Sequence, residues 1–206
     1  MNFNRAIRIL KENNLMLVES AQKNVVVTCR TRTFDHIKRV KYFYNVLVES
    51  GQIPIEDIDI KRVMKHDADK LKPNNLRRQA LRYCADRELT QQELKDIDAV
   101  VMEHIKTNPH HCEYWGKGDY TSTGINCRNM EDTYIYELCA DWAATAEEKG
   151  NSLMDWCNKV MNNKFMFNEH QTELIYSLCD FLKDYIDPSL KRDYGLKQVK
   201  LSTLKV

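Results

Sequence analysis

Apolar residues recur at intervals of three and four along most of the chain, the spacing that places them on one face of an α-helix. Thr90 and Glu93 open the clearest segment in the pattern of a capping box, where each side chain bonds the other residue's backbone N–H. Asn108-Pro109 marks the end of this helix. Its apolar face consists of Leu94, Ile97, Val100, Val101 and Ile105.

Similar spacing, bounded by Pro and Gly, predicts the other helices. One begins at Thr33 or Asp35 and ends at Gly51, and another starts at Pro54 and leads towards residue 66. Before them lies a short helical pattern and then three valines that fit either a strand or a helix. The remaining helices are predicted over residues 74–89, 130–149, 152–162 and 168–185, and the basic tail after Pro188 is expected to be loose.

Residues 108–129 form the long irregular stretch of the chain. A loop of this length in a compact protein is usually either functional or disordered. Its two histidines and three aromatic residues favour function. The aromatic residues, Tyr114, Trp115 and Tyr120, have two interpretations: they stack on a nucleobase, or they pin the loop to the core.

Composition supports a helical fold, because six Gly and four Pro among 206 residues are few for a β-sandwich or barrel. The length suits one domain. A net charge of +1 does not indicate a nucleic-acid partner, and no apolar run approaches the roughly 20 residues of a membrane span. The polar N-terminus lacks the pattern of a signal peptide, and the seven cysteines contain no CxxC pair. We therefore expect a cytoplasmic protein with reduced thiols.

Five of the six histidines and two aspartates occupy positions that suit a metal site in a helical protein. Asp141 lies in an apolar segment, where a carboxylate is costly unless a cation is nearby. Imidazole and carboxylate donors without thiolate suit Mn, Fe, Mg, Co or Zn. The sequence therefore predicts one or two divalent metal ions per chain. The ligands come from His36, the His66-Asp67 pair, His104, the His110-His111 pair and Asp141.

This order of residues, between Thr33 and Ala146, resembles the HD-domain superfamily of metal-dependent phosphohydrolases. The segments DHIKRV, HDADK, NPHHCEYW and ELCADWAA resemble more narrowly a family of small bacterial and phage proteins, the domain of unknown function number 5662. The resemblance implies an all-α, HD-domain-like bundle with a functional loop around residues 108–129. Its core would span about 33–146, followed by a helical extension over about 150–186 and a tail over 188–206.

The resemblance also implies roles for individual residues. The first metal would be bound by His36, His66, Asp67 and Asp141, and the second by His104 and His111 (or His110), with Asp67 bridging the ions. Lys70 matches a lysine that binds substrate phosphate. Two departures limit the substrate: Lys70 replaces the glutamate of the small nucleotidases, and HHCEYWGKG lacks the Gly-Tyr-Pro signature of cyclic-dinucleotide phosphodiesterases.

These features predict a metal-dependent phosphohydrolase that acts on a nucleotide or related phosphate ester through metal-activated water. Asp67 would orient the water or accept its proton, and Lys70 would contact the phosphate. Glu113, or whichever of His110 and His111 is not a ligand, would protonate the leaving oxygen. Two alternatives remain: a di-iron oxygenase that uses O₂, and a non-catalytic nucleotide-binding module. The expected partner is a small phosphate-bearing molecule in a bacterial or phage-infected cell, and the oligomeric state is left open.

Overall fold

The structure, a computed structural model, describes the backbone of residues 3–84, 88–116 and 123–189, and the side chains of 26–82, 88–116 and 123–189. These ranges are mostly helical, as predicted. None of their helices is both long and apolar enough to span a membrane. The α-helices are α1 Phe3–Glu49, α2 Ile60–Val63, α3 Pro73–Cys84, α4 Gln91–Thr107, α5 Cys112–Gly116, α6 Asp132–Lys149, α7 Leu153–Val160 and α8 Glu169–Leu182.

Helix α1 is continuous where the sequence suggested a new helix start. The predicted N-cap at Thr33 or Asp35 is wrong, because Thr33 lies inside the helix and its Oγ1 donates to the carbonyl of Cys29 at 3.0 Å. The three valines are helical as well. The predicted end near Gly51 is confirmed by a Schellman motif, with Gly51 at φ 70°. The N–H of Gln52 donates to the carbonyl of Leu47 at 2.9 Å.

The capping box at the start of α4 is confirmed. The N–H of Glu93 donates to Thr90 Oγ1 at 3.2 Å, and the N–H of Thr90 donates to Glu93 Oε2 at 2.8 Å. Helices α6, α7 and α8 lie within the predicted segments. The helix predicted from Pro54 is only a 3₁₀ turn, Ile55–Asp57, followed by the single turn of α2. Residues 85–87 and the predicted tail from residue 190 lie outside the described part of the chain.

The prediction of an irregular loop over residues 108–129 is only partly right. The short helix α5 and the strand β1, Ile125–Asn126, lie within it, and residues 117–122 are outside the described ranges. Strand β1 pairs in parallel with β2, Phe165–Met166. Gly116 ends α5 against β1, and a β-carbon there would lie 2.2 Å from Ile125 Cγ2. Only glycine therefore fits this approach.

The chain divides into two compact units. Unit 1 comprises Met1–Phe34 and Asp67–His104, and unit 2 comprises Asp35–His66 and Ile105–Val206. The predicted single domain with a core over 33–146 stays a prediction. In unit 1, the small apolar cluster is formed where α3 packs on α1, by Leu76, Ala80, Cys29 and Val26.

Helix α6 is central to the core of unit 2. It packs against α8 and α7, and its buried residues include Ile135 and Leu138. Each such side chain contributes about 1.5–3 kcal/mol when fully buried. The same cluster includes residues of α1 (Val40, Phe43, Tyr44, Leu47), α7 (Leu153, Cys157, Val160) and α8 (Ile175, Leu178, Leu182). This packing fixes the position of α6, which carries the carboxylates described next.

Candidate metal centre

Two imidazoles and one carboxylate of unit 2 lie close enough to share a metal ion. They belong to His66, which follows α2, His110, which precedes α5, and Asp141 in the middle of α6. One ligand atom from each lies within 4.8 Å of the other two. His66 and His110 are each 3% exposed. Two nitrogens and one carboxylate oxygen, without a thiolate, form a donor set that fits a divalent metal.

His36 approaches the same oxygen of Asp141 as His66, whose Nε2 lies 3.9 Å from Oδ1. Nε2 of His36 is 3.0 Å from Asp141 Oδ1, and its Nδ1 is 3.7 Å from Glu148 Oε2. Burial raises the pKa of Asp141, but the hydrogen bond from His36 and the charges of the nearby imidazoles outweigh burial and hold the pKa well below its usual range. Asp141 is therefore an ionised carboxylate, as a metal ligand must be.

Glu137, one helical turn before Asp141, contacts both imidazoles from the side of their Nδ1 atoms. Its Oε1 lies 2.9 Å from His66 Nδ1 and 3.4 Å from His110 Nδ1. Its Oε2 accepts a 2.8 Å hydrogen bond from Arg62 Nε. Burial raises the pKa of Glu137, but His66, His110 and Arg62 together lower it below its ordinary value. Metal-binding histidines commonly have such a carboxylate partner.

A second group of donors lies in unit 1. His104 is held between two carboxylates, with Nε2 3.1 Å from Asp67 Oδ1 and Nδ1 2.8 Å from Asp69 Oδ2. Lys70 Nζ donates to Asp67 Oδ2 at 2.6 Å. Burial lowers the pKa of His104, but its bonds to the two aspartates raise it overall. Asp67 has the left-handed conformation, with φ 56°, which non-glycine residues adopt rarely.

A cavity of about 320 Å³ in unit 2 adjoins Asp141. Glu113 lies in its wall, 6% exposed, and accepts a hydrogen bond from Lys164 Nζ at 3.3 Å. Three aromatic rings line it as well: Trp142 contacts Trp156 edge-on, with ring centroids 6.2 Å apart, and stacks with Phe165. The cavity therefore combines acidic, cationic and flat apolar surfaces. Its wall also includes His111, Thr145, Lys149, Asn151 and Ser152.

The structure thus brings together, within unit 2, the predicted residues His36, His66, His110 and Asp141. The predicted residues Asp67, Lys70 and His104 contact one another within unit 1. In the group with His66 and Asp141 the second imidazole is that of His110, whereas His111 lines the cavity. The predicted ligand role of His111 and the predicted acid role of His110 stay predictions.

The structure adds three carboxylates that the sequence interpretation missed. Glu137 and Glu148 flank Asp141 on α6, and Asp69 is two residues after Asp67. The four-residue spacing from Glu137 to Asp141 was a usable signal, because residues at this spacing share a helix face. Of the loop aromatics, Trp115 donates from Nε1 to the carbonyl of Pro109 at 2.8 Å, which favours pinning of the loop. Tyr120 lies outside the described residues.

The model of a family of unknown function (DUF5662) matches residues 26–187. This stretch contains every residue of both donor groups and the whole wall of the cavity. No curated protein and no solved structure matches the chain.

Proposed function

The chain belongs to the family of unknown function DUF5662, and we propose that it is a metal-dependent phosphohydrolase of HD-domain type that acts on a nucleotide or related phosphate ester. One observation carries the proposal. Asp141 belongs both to the donor group with His66 and His110 and to the wall of the cavity. A substrate in the cavity would therefore lie directly beside the metal.

The donor set decides what the site can hold. His66, His110 and Asp141 would bind a divalent ion, and His36 lies beside Asp141 as a further ligand. When bound, the ion supplies a lowered pKa of coordinated water and positive charge for the developing phosphate oxygens. The roles predicted from the sequence for Asp67, orienting the water, and for Lys70, contacting the phosphate, stay predictions.

The cavity suits a phosphate ester with a flat organic group. Lys164 and Lys149 contribute positive charge to the wall, which favours an anion. Trp156, which is 39% exposed, offers a ring on which a nucleobase can stack, beside the buried rings of Trp142 and Phe165. A volume of about 320 Å³ is at the lower end of the range for small-molecule sites, roughly 300–1,000 Å³. This size favours a single nucleotide over a longer ligand.

Glu113 and His111 are two groups of the cavity wall that can transfer a proton. Glu113 is buried and bonded to Lys164, which holds its carboxyl group in one orientation. General acid catalysis requires such a group within hydrogen-bond reach of the leaving oxygen. We assign protonation of the leaving oxygen to the protonated form of Glu113, with His111 as the other candidate in the wall.

The test begins with metal content, measured by mass spectrometry on protein purified without added metal and without air. Manganese, zinc, cobalt or magnesium, followed by phosphate release from a panel of nucleotides, supports the proposal. Two irons per chain with O₂ consumption supports the oxygenase instead. Nucleotide retained without product supports a binding module. Failure to take up any metal on titration overturns the metal site itself.

The matched variants are Asp141→Asn and Glu147→Gln. Asp141→Asn removes a charged ligand and should abolish both metal retention and phosphate release. Glu147 is also buried on α6, but it pairs with Arg39, with Oε1 3.5 Å from Arg39 Nε. Glu147→Gln should therefore keep both properties.

A further inference from the structure

We propose that Glu137, held in place by Arg62, is a positioning residue that sets the tautomer of His66 and His110 so that both present Nε2 to one metal ion. The inference rests on the metal site of the proposed function and not on hydrolysis. Glu137 would fix which ring nitrogen of each imidazole carries the hydrogen before any ion binds.

One oxygen of Glu137 faces the Nδ1 atom of both imidazoles. Oε1 faces Nδ1 of His66 at 2.9 Å and Nδ1 of His110 at 3.4 Å. An ionised carboxylate oxygen can only accept hydrogen bonds, so the ring nitrogen that faces it carries the hydrogen. In the neutral imidazole the lone pair is then on Nε2, and this is the nitrogen that would bind the metal ion.

Arg62 prevents the Glu137 side chain from turning. Its Nε donates to Glu137 Oε2 at 2.8 Å, and its Nη1 donates to Thr133 Oγ1 at 3.0 Å. Its guanidinium carbon also lies 4.5 Å above the ring centre of Tyr134. A guanidinium offers only donors, so whatever stands at Oε2 must be an acceptor.

These two contacts give Glu137→Gln an unusual consequence. The amide is almost the same size as the carboxylate, but only one of its two ends accepts a hydrogen bond. Arg62 would donate a hydrogen bond to the amide oxygen, so the amide nitrogen would face His66. Since that nitrogen donates, His66 must accept at Nδ1 and carry its hydrogen on Nε2. The variant therefore places a hydrogen on the nitrogen that should bind the metal.

The experiment reads the tautomer of each histidine by nitrogen NMR, in metal-free full-length protein at a pH where the imidazoles are neutral. The expected result is Nδ1–H on His66 in the unaltered protein and Nε2–H in Glu137→Gln. Titration with Zn²⁺ should show an affinity about 10- to 100-fold lower in the variant, the usual cost of losing such a partner. Glu147→Gln is the control on the same helix and should change neither readout.

The double variant Arg62→Met with Glu137→Gln provides the rescue. Without the guanidinium the amide is free to turn its oxygen to His66, so the Nδ1–H tautomer and most of the Zn²⁺ affinity should return. Should Glu137→Gln not fold, Glu137→Asp keeps the charge but shortens the side chain, which withdraws the carboxylate from His66, and it should lower the affinity.

An unchanged tautomer and affinity in Glu137→Gln, or an unchanged affinity in Glu137→Asp where that variant is needed, would overturn the inference. Loss of affinity without a change of tautomer would overturn it too, since the effect would then be structural. If the unaltered protein binds no metal, the proposed function fails separately, and the tautomer of His66 still decides the role of Glu137.

Discussion

Nε2 of His36 lies 3.0 Å from Oδ1 of Asp141, and the two side chains are similarly shielded, at 14% and 13% exposed. His36 comes from α1 and Asp141 from α6, so packing of these helices within unit 2 creates the contact. It accounts for a carboxylate in an apolar helical segment, because burial of an unpartnered charge would be costly. The imidazole is a partner for the carboxylate in the protein without metal.

We predict that metal stabilises the unaltered protein but not Asp141→Asn. An ion that binds only the folded state adds about 2.7 kcal/mol at a concentration 100 times its Kd. The amide lacks the charge of the carboxylate, so the variant should gain little. The measurement is thermal unfolding with and without Mn²⁺ or Zn²⁺. Glu147→Gln should be stabilised by metal like the unaltered protein. Equal stabilisation of Asp141→Asn would remove Asp141 from the ligands.

Trp156→Ala should weaken substrate binding without much change in kcat. Trp156 is 39% exposed, lines the cavity and is not one of the donors of the metal group. Loss of one base–aromatic stack costs about 1–3 kcal/mol, which corresponds to a KM raised roughly 5- to 150-fold. The measurement is steady-state kinetics with the nucleotide that the activity screen identifies. Tyr185→Ala is the control, since this half-exposed ring packs on Phe181 and is not among the cavity residues. A fall in kcat alone would contradict the prediction.

Gly116→Ala should destabilise the protein by about 1–3 kcal/mol, the usual cost of overpacking. The new β-carbon would lie 2.2 Å from Ile125 Cγ2, so α5 or β1 must shift. Chemical denaturation of Gly116→Ala, Ile125→Ala and the double variant measures this coupling. The double variant should lose less stability than the two single losses combined, because Ile125→Ala removes the clashing methyl group. Additive losses would show that the contact is not the cause.

His170 should stabilise the fold at acidic pH and not at alkaline pH. Its Nε2 lies 2.7 Å from Asp132 Oδ2, and this bond raises the pKa of the imidazole above its ordinary value of 6.5. A raised folded-state pKa gives a contribution that is complete below the unfolded pKa and is lost as the pH rises through the folded value. The imidazole is 68% exposed, so the contribution should be at the low end of about 0.2–1 kcal/mol.

The check is the difference in unfolding free energy between the unaltered protein and His170→Gln, measured from pH 5 to pH 9. The difference should shrink as the pH rises. The control repeats the series with Asp132→Asn present in both proteins. Without the Asp132 carboxylate, the effect of His170→Gln should depend much less on pH, because only the smaller influence of the Glu173 charge still raises the pKa of His170. A difference that grows with pH in the protein that keeps Asp132 would contradict the assignment.

Several features of this protein follow from the sequence alone because they depend on residues a few positions apart. The capping box of Thr90 and Glu93 satisfies backbone groups within one turn, and the apolar spacing of α6 and α8 depends on the helical period. Scarce glycine and proline also indicated a helical fold, because a β-sandwich or barrel needs many of these residues in its turns. His66, His110 and Asp141 could be named as candidates by residue type and order.

Only the tertiary structure decided how these candidates meet. The local pattern at Thr33 predicted the start of a helix. In the structure α1 is continuous there, and the Thr33 hydroxyl donates to the carbonyl of Cys29. His110 and His111 are adjacent, and only packing directs His110 towards His66 and His111 into the cavity wall. The sequence pattern did not indicate a role for Glu137. Its role depends on Arg62 and His66, which the core of unit 2 brings to α6 from distant parts of the chain.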